Sequence, residues 1–540
     1  MQKFTQFIAN HPRWIALVAG AASATGFAPL GLWPVTLVCF ALFIHLVSQA
    51  RTGRRAALIG WLFGVGHFSI GNNRIAVAFT FQAAMPAWLG WVAVVALALY
   101  LAVYPALCAW WAWWIANKVV VRAKVDTTLP LILAFAACWI ITEWLRSWVF
   151  TGYVWNPLGV VAITEAAAPA IWVGTYGLSG LVAIVAGLLL ALVIQNWRSA
   201  IMLTTGLVLV YVAATFSFWN DSVVAAINGK IANSRPVLTI AQPNISQADK
   251  YAPGYDALNF AKLEQNSRPL ADQGPRLLLW PEAAIPDFLE EGYPFRFYQF
   301  QPGESAAGAR ARLTTLMGKG DILLTGSNRL VIDKQGQMAA ARNSMTAMDA
   351  RGRILGDYDK AHLVPYGEYL PLKWLLTPLG LSRLVPGDVD LIPGPGPQTM
   401  TLMLDGKPVK VGLQICYEII FSGQVTDRKN RPDFLFNPSN DAWFGGWGPP
   451  QVLAQARLRA IEEGLPVVRA TPTGISAVID ADGRIVDSLG QGVAGRIDAR
   501  LPAAKAPTLF ARHGNVLPVA FALLLIALAF LPLARRHRSR

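Results

Sequence analysis

Acidic side chains are nearly missing from the first 219 residues: Asp126, Glu143 and Glu165 are the whole set. A soluble domain of that length needs a charged surface, since about a quarter of ordinary residues are charged. Over all 540 residues only 14% are charged and 54% are hydrophobic. The shortage is local. Residues 220–513 hold 31 basic and 29 acidic residues, the balance of a normal soluble domain. One membrane part and one soluble part is the first expectation. Cysteine is also scarce. Cys39, Cys108 and Cys138 fall inside apolar runs, where packing accounts for them. Cys416 is the one thiol of the soluble part, so that part has no internal disulfide. The chain has no GxGxxG, no GxxxxGK[ST] and no HExxH, and its six histidines are scattered. These absences exclude the usual dinucleotide, P-loop and metalloprotease readings, and neither a metal nor a cofactor is expected.

Long apolar stretches are what the first part does have. With about 20 apolar residues per span, spans are expected near 14–30, 33–50, 56–73, 88–116, 128–145, 171–196, 200–219 and 514–533. That makes a polytopic α-helical membrane domain of eight spans. Seven lie in residues 1–219, and the eighth, with a basic tail, in 514–540. One set of loops and ends carries Lys3, Arg13, Arg51, Arg54, Arg55, Lys118, Arg122, Lys124, Arg198, Arg535, Arg536, Arg538 and Arg540. The alternate set carries Arg74 and Arg146. By the positive-inside rule both termini are cytoplasmic, and residues 220–513 lie outside the cytoplasm. The net charge of +14 is thus a matter of topology, and no nucleic-acid partner is expected. Glu143 and Arg146, one helical turn apart at a lipid boundary, call for either mutual pairing or a role at a substrate entrance.

Short apolar runs alternate with helical patterns from 237 to 500. Strands are expected at 237–241, 276–280, 321–326, 343–348, 409–415, 434–437, 466–470 and 476–480. Helices are expected at 255–267, 305–318 and 451–464, and Gly-bearing hairpin turns at 349–353 and 480–484. Sheets covered by helices follow.

Three residues at expected strand ends carry chemistry. Cys416 ends an apolar run, Glu282 follows Leu-Leu-Leu-Trp-Pro, and Lys360 ends Gly-Asp-Tyr-Asp-Lys. A thiol attacks as thiolate. A carboxylate can take its proton as it does so, which suits Glu282. The oxyanion formed on an acyl carbon needs fixed positive charge, which suits Lys360.

Leu-Trp-Pro-Glu (279–282), Tyr-Asp-Lys-Ala-His-Leu-Val-Pro-Tyr-Gly-Glu-Tyr-Leu-Pro (358–371) and Ile-Cys-Tyr-Glu (415–418) resemble the nitrilase superfamily. Asn-Pro-Ser-Asn-Asp-Ala-Trp-Phe-Gly (437–445), Gly-Phe-Ala-Pro-Leu-Gly-Leu-Trp-Pro (26–34) and Glu-Trp-Leu-Arg (143–146) are similar to its membrane-anchored branch, the apolipoprotein N-acyltransferases. The resemblance implies an α/β nitrilase-like αββα sandwich with Glu282 as base, Lys360 as oxyanion stabiliser and Cys416 as nucleophile. It implies that Glu368 supports the site and that Tyr417 and Glu418 flank the nucleophile. The implied reaction is ping-pong. A fatty acyl chain passes from a phospholipid, usually phosphatidylethanolamine, to Cys416 as a thioester. It then passes to the α-amino group of an S-diacylglyceryl-cysteine apolipoprotein. The implied setting is a bacterial inner membrane with a periplasmic catalytic domain. Trp443 and Phe444 either line an acyl pocket or fill the core, and the apolar loop 372–381 is either a lid or a packed helix. Tyr251 stands where the family pattern has tryptophan, which marks it as a substrate-contact candidate. A membrane-tethered amidase acting on a small amide shares the three residues and is the alternative enzyme. A transporter would place ionisable residues deep in the spans, where only His45 and His67 lie.

Overall fold

The computed structural model describes Phe7, Ala252, Gly254 and residues 10–81, 86–123, 126–163, 166–229, 235–250, 256–271, 274–379 and 389–538. Tyr251, Lys3, Lys124, Arg540 and positions 380 and 381 of the apolar loop lie outside the described residues. By packing, the chain divides into two units. Met1–Val77, Pro86–Asn220 and Pro507–Arg540 make the first, and Ala78–Met85 and Asp221–Ala506 the second.

The first unit is helical: α1 Pro12–Ser23, α2 Trp33–Ser48, α3 Gly53–Gly71, α4 Leu89–Leu101, α5 Val103–Ala123, α6 Thr128–Arg146, α7 Ala170–Val193 and α8 Trp197–Gly229, then a closing helix Val516–Arg538. Among the described residues, four helical stretches are long and apolar enough to cross a membrane: Leu89–Val119, Thr128–Arg146, Ala170–Val193 and Trp197–Trp219. Trp33–Ser48 and Val516–Leu531 are apolar but shorter. The eight expected spans each meet a helix, and among the described residues four of these are both long and apolar enough to cross. The reasons are local. The helix α1 has 12 residues, because a tight turn at Ala24–Gly26 ends it before Pro29. Proline in the first turn of α2 fixes its start and leaves it 16 residues. The helix α3 begins at the Thr52 cap and carries Arg54 and Arg55 in its first turn. Glycines let α1 and α3 touch backbone to backbone: a Cβ on Gly20 would overlap the Phe63 carbonyl, and one on Gly66 the Leu17 carbonyl.

The second unit holds two six-stranded sheets, ordered β12-β1-β2-β3-β4-β5 and β11-β10-β9-β8-β7-β6. The first comprises β1 Val237–Gln242, β2 Arg276–Leu279, β3 Ile322–Ile332, β4 Met338–Asp349, β5 Ile354–Asp359 and β12 Gly495–Arg500. The second comprises β6 Thr399–Leu404, β7 Lys407–Leu413, β8 Phe434–Pro438, β9 Val467–Ala470, β10 Ser476–Ile479 and β11 Ile485–Leu489. In each, three central strands run parallel (β1-β2-β3 and β7-β8-β9) with antiparallel strands at the flanks. The period of two divides the side chains between faces. Leu238, Ile240, Leu277 and Leu279 point into one core with Leu413, Phe434, Phe436 and Val468 of the other sheet. Ala241, Leu278, Trp280 and Leu323 point outward, against Leu263 of α9 Asp256–Gln265 and Ala309 and Leu313 of α10 Ala306–Thr314. The helix α11 Gly448–Glu463 packs on β9 of the second sheet. The sandwich is therefore αββα. All eight expected strands form, and the turns at 349–353 and 480–484 join β4 to β5 and β10 to β11. Four further strands complete the sheets: β5 and β11, the second arms of the two expected hairpins, and β6 and β12, which were not expected.

Candidate active site

Glu282, Lys360 and Cys416 each follow the carboxyl end of a strand, β2, β5 and β7 respectively, which is where open α/β sheets present their ligands. Cys416 opens the short 3₁₀ turn Cys416–Ile420 with φ +51°, a left-handed conformation uncommon outside glycine. The Asn437 amide donates to the carbonyls of Gln414 (2.5 Å) and Cys416 (3.3 Å), pinning that turn to β8. Backbone held this way at a reactive residue is a recognised store of local strain.

Around Lys360 the charges are dense and buried. Its ammonium lies 2.9 Å from Glu368 Oε1 and 3.5 Å from Glu282 Oε1. Asn343 donates to both carboxylates, at 2.7 Å to Glu282 and 3.2 Å to Glu368. The second Glu282 oxygen accepts from the Asn440 backbone N–H at 2.8 Å, and the second Glu368 oxygen from that of Val364 at 2.7 Å. Burial pushes the Glu282 carboxyl up. Lys360, the Asn343 amide, Lys250 and the Asn440 N–H outweigh it and hold Glu282 below the ordinary range. Burial likewise pulls Lys360 down, but Glu368 and Glu282 overcome it and hold the amine well above the usual lysine value. Cys416 goes the other way: burial, with the Glu282 charge, pushes its thiol up, against the pull of Lys360. The resting pattern is a carboxylate, an ammonium and a neutral thiol. That is the arrangement for base-assisted thiol attack at the moment of reaction rather than for a standing thiolate.

Glu418 ties the two sheets' loops together. It accepts from the N–H groups of Ile415 (2.6 Å), Ala361 (2.8 Å) and His362 (3.1 Å), and from the Tyr358 hydroxyl at 2.9 Å. Burial raises its carboxyl to about 7 in spite of these donors. The Tyr417 ring meets Phe421 edge-on at 5.1 Å, and Phe421 stacks on His362 at 3.8 Å.

The remaining sequence candidates are more dispersed. Trp443 and Phe444 lie half-buried in the turn Asp441–Phe444, and Trp443 meets Phe81 edge-on at 5.9 Å. Glu143 and Arg146 are buried in the first unit. Glu143 accepts from Trp139 Nε1 (3.0 Å) and Leu158 N (2.7 Å), with Arg146 at 3.9 Å. The Leu158 contact pins α6 to the 158–162 turn. No group of three or more His, Cys, Asp or Glu side chains among the described residues is placed to hold a metal.

Several site residues gave no signal in the sequence on their own: Asn343, Asn440 and Lys250. The Lys250 ammonium lies 3.3 Å from the Glu282 carbonyl oxygen, and burial lowers it to about 8 against the pull of Glu282 and Cys416. It lines a cleft of ≈ 230 Å³ with Glu282, Phe260 and Phe288. Only the grouping of Asn440 within the 437–445 motif hinted at its place.

Comparisons with known proteins cover nearly the whole chain. Residues 19–188 match the family model of the apolipoprotein N-acyltransferase N-terminal domain, and residues 215–506 that of the carbon-nitrogen hydrolases. A Rhodopseudomonas palustris protein named apolipoprotein N-acyltransferase is 36% identical over 97% of this chain and 95% of its own length. A Bradyrhizobium diazoefficiens protein of that name is also 36% identical, over 97% and 95%. One from Caulobacter vibrioides is 33% identical, over 93% and 91%. Among solved structures, Saccharomyces cerevisiae Nit3 of the nitrilase superfamily is 23% identical over 50% of this chain and 90% of its own, with a TM-score of 0.33. With such identity over nearly its full length, and both family models laid end to end along it, the chain belongs to the apolipoprotein N-acyltransferase family.

Proposed function

We propose that this enzyme moves a fatty acyl chain from a phospholipid to the N-terminal amine of an S-diacylglyceryl-cysteine apolipoprotein, by way of a Cys416 thioester. The observation that carries the reading is the buried Lys360 ammonium held between Glu368 and Glu282, with Glu282 and Lys360 both acting on a neutral thiol, in a chain of this family. As Sγ attacks the ester carbonyl, Glu282 takes the thiol proton and the Lys360 ammonium faces the oxyanion. Collapse expels the lysophospholipid alkoxide, which takes the proton back from Glu282. The acceptor amine then attacks the thioester, gives its proton to Glu282, and the departing thiolate is reprotonated. Glu368 holds Lys360 charged throughout. Phosphatidylethanolamine is the proposed donor.

The proposed setting is the bacterial inner membrane. The eight helical segments are the spans, both termini are cytoplasmic and residues 220–513 are periplasmic, as the basic residues of alternate loops favour. Tyr251, Trp443 and Phe444 are proposed substrate contacts.

Intact-protein mass spectrometry after incubation with phosphatidylethanolamine tests the reading. Wild type gains one acyl mass and loses it on adding a diacylglyceryl peptide, while Cys416→Ala gains none. A wild type that stays unmodified while hydrolysing small amides would favour the amidase instead.

A further inference from the structure

Glu282 needs a fixed seat, because a base works only within hydrogen-bond reach of the proton it takes. The chain builds that seat on awkward backbone. Ala283, directly after Glu282, has φ +45°, a left-handed conformation that a side chain opposes. Such backbone persists where its surroundings over-determine it. On one side β3 does so. The Trp280 N–H donates to the Leu324 carbonyl at 3.0 Å, and the Ala284 N–H to that of Gly326 at 2.9 Å. A Cβ on Gly326 would overlap the Ala283 nitrogen, so only glycine lets the strand come this close.

The other hold comes from the short helical turn Gln247–Lys250. Its last residue, Lys250, donates from Nζ to the Glu282 backbone carbonyl at 3.3 Å. Its first, Gln247, is buried and accepts from Asn440 Nδ2 at 2.9 Å. The backbone N–H of the same Asn440 donates to Glu282 Oε2 at 2.8 Å. One turn therefore reaches Glu282 at both ends: the main chain through Lys250, and the carboxylate through Gln247 and Asn440. The turn is itself fixed. The Asp249 N–H donates to Ser246 Oγ at 3.1 Å, and Asn259 Nδ2 of α9 donates to the Asp249 carbonyl at 3.2 Å. A lysine on a turn ordinarily keeps its ammonium in water. Lys250 sets its own against the base instead, where burial lowers the amine. An apolar side chain would fill that space without the loss of hydration.

We propose that Lys250 and Gln247 are positioning residues for the base. Lys250 anchors the Glu282 main chain, and Gln247 anchors the residue whose N–H holds one carboxylate oxygen. The carboxylate is thereby kept aimed while the thiol proton moves to it. Neither residue exchanges a proton or touches the acyl group. The proposal rests on Glu282 being the base that serves Cys416.

The test is acylation of Cys416 in the full-length protein in detergent. Intact mass follows it with phosphatidylethanolamine, and nitrophenolate release follows it with p-nitrophenyl butyrate. Lys250→Met keeps most of the stem and removes the ammonium. It should slow the maximal acylation rate roughly ten- to a hundredfold, up to the loss that a misplacement of about 1 Å produces. The half-saturating donor concentration and the unfolding temperature should stay near wild type. Lys250→Arg keeps donor and charge and should recover most of the rate, while Gln247→Leu should fall in the same direction as Lys250→Met. In a Glu282→Gln background Lys250→Met should cost nothing further, since the base it seats is gone. Wild-type acylation by Lys250→Met overturns the proposal. So do equal losses in Lys250→Met and Lys250→Arg, which mark a packing role, and a further loss of the same size in the Glu282→Gln background. If wild type is acylated by the nitrophenyl ester and not by phosphatidylethanolamine, while Lys250→Met slows the ester reaction, the phospholipid reading fails and the Lys250 assignment stands.

Discussion

Lys360 lies closer to Glu368, at 2.9 Å, than to Glu282, at 3.5 Å. The tighter partner carries the lysine's charge, which leaves Glu282 free to exchange a proton. Glu368→Gln keeps the shape and removes the charge. Lys360 then turns to Glu282 alone and competes for its lone pairs. Thioester formation should fall about a hundredfold, the scale of a lost electrostatic or acid–base contribution. Stopped-time mass spectrometry of the acyl-enzyme measures it, and an unchanged rate would remove Glu368 from the mechanism.

As the proposed base Glu282 must be ionised, and its carboxyl is held below the ordinary range. The acid limb of thioester formation should therefore lie below the usual glutamate value of about 4.3. Asn343→Ala removes one of the donors and should move that limb upward. The same group contributes stability that is present above its unfolded pKa and is lost as pH falls through the folded one. Rate and unfolding profiles should shift in the same direction.

Glu418 has the opposite sign. Its folded carboxyl is raised to about 7 from an ordinary 4.5. The folded state then binds more protons in that window, so stability is fullest below about 4.5 and is lost as pH rises through about 7. The loss is on the order of 3 kcal/mol. Thermal unfolding of Glu418→Gln should be flatter over that window than wild type, and parallel curves would count against the shift.

Cys416 has φ +51°. A left-handed residue costs about 1–2 kcal/mol unless it is glycine. Glycine ordinarily loses about 0.5–1 kcal/mol to alanine in regular structure. At this position the two effects offset, so Cys416→Gly should unfold no more easily than Cys416→Ala. A clear advantage for alanine would mean that the turn is unstrained.

In the first unit, Gly66 faces the Leu17 carbonyl with no room for a Cβ. Gly66→Ala should push α3 off α1 and cost about 1–3 kcal/mol, read as a lower unfolding temperature in micelles. Thioester formation by the molecules that remain folded should be nearly normal.

Much of this was legible in the chain because central strands are uniform. Val237–Gln242, Arg276–Leu279 and Phe434–Pro438 are buried over almost their whole length, so their apolar runs stand out. Ile485–Leu489 is largely exposed and Gly495–Arg500 mixes charge with small residues, so neither pattern separates strand from loop. Glu282 and Cys416 were visible because each ends an apolar run with chemistry, and Lys360 because it opens the Lys-Ala-His-Leu-Val-Pro-Tyr-Gly-Glu stretch. Asn343 was hidden inside a β4 pattern of small polar residues, and Lys250 looked like any surface lysine. Their roles depend on which strands become neighbours, and no local spacing records that. The helices α1 and α2 are shorter than the apolar runs that announce them, because apolarity continues past the glycine and proline that end or start them.

Asn343, Lys360 and Glu368 belong to loops and strands of the first sheet, whereas Cys416, Glu418 and Asn440 belong to the second. Glu418 grips the backbone beside Lys360, and Asn440 grips Glu282, so the second half holds both of the first half's charged groups in place. A chain with only one sheet formed would leave Cys416 without the carboxylate and the ammonium that the other sheet brings. Acyl transfer by the proposed route therefore has to wait for both halves, whatever the bare thiol does with other reagents.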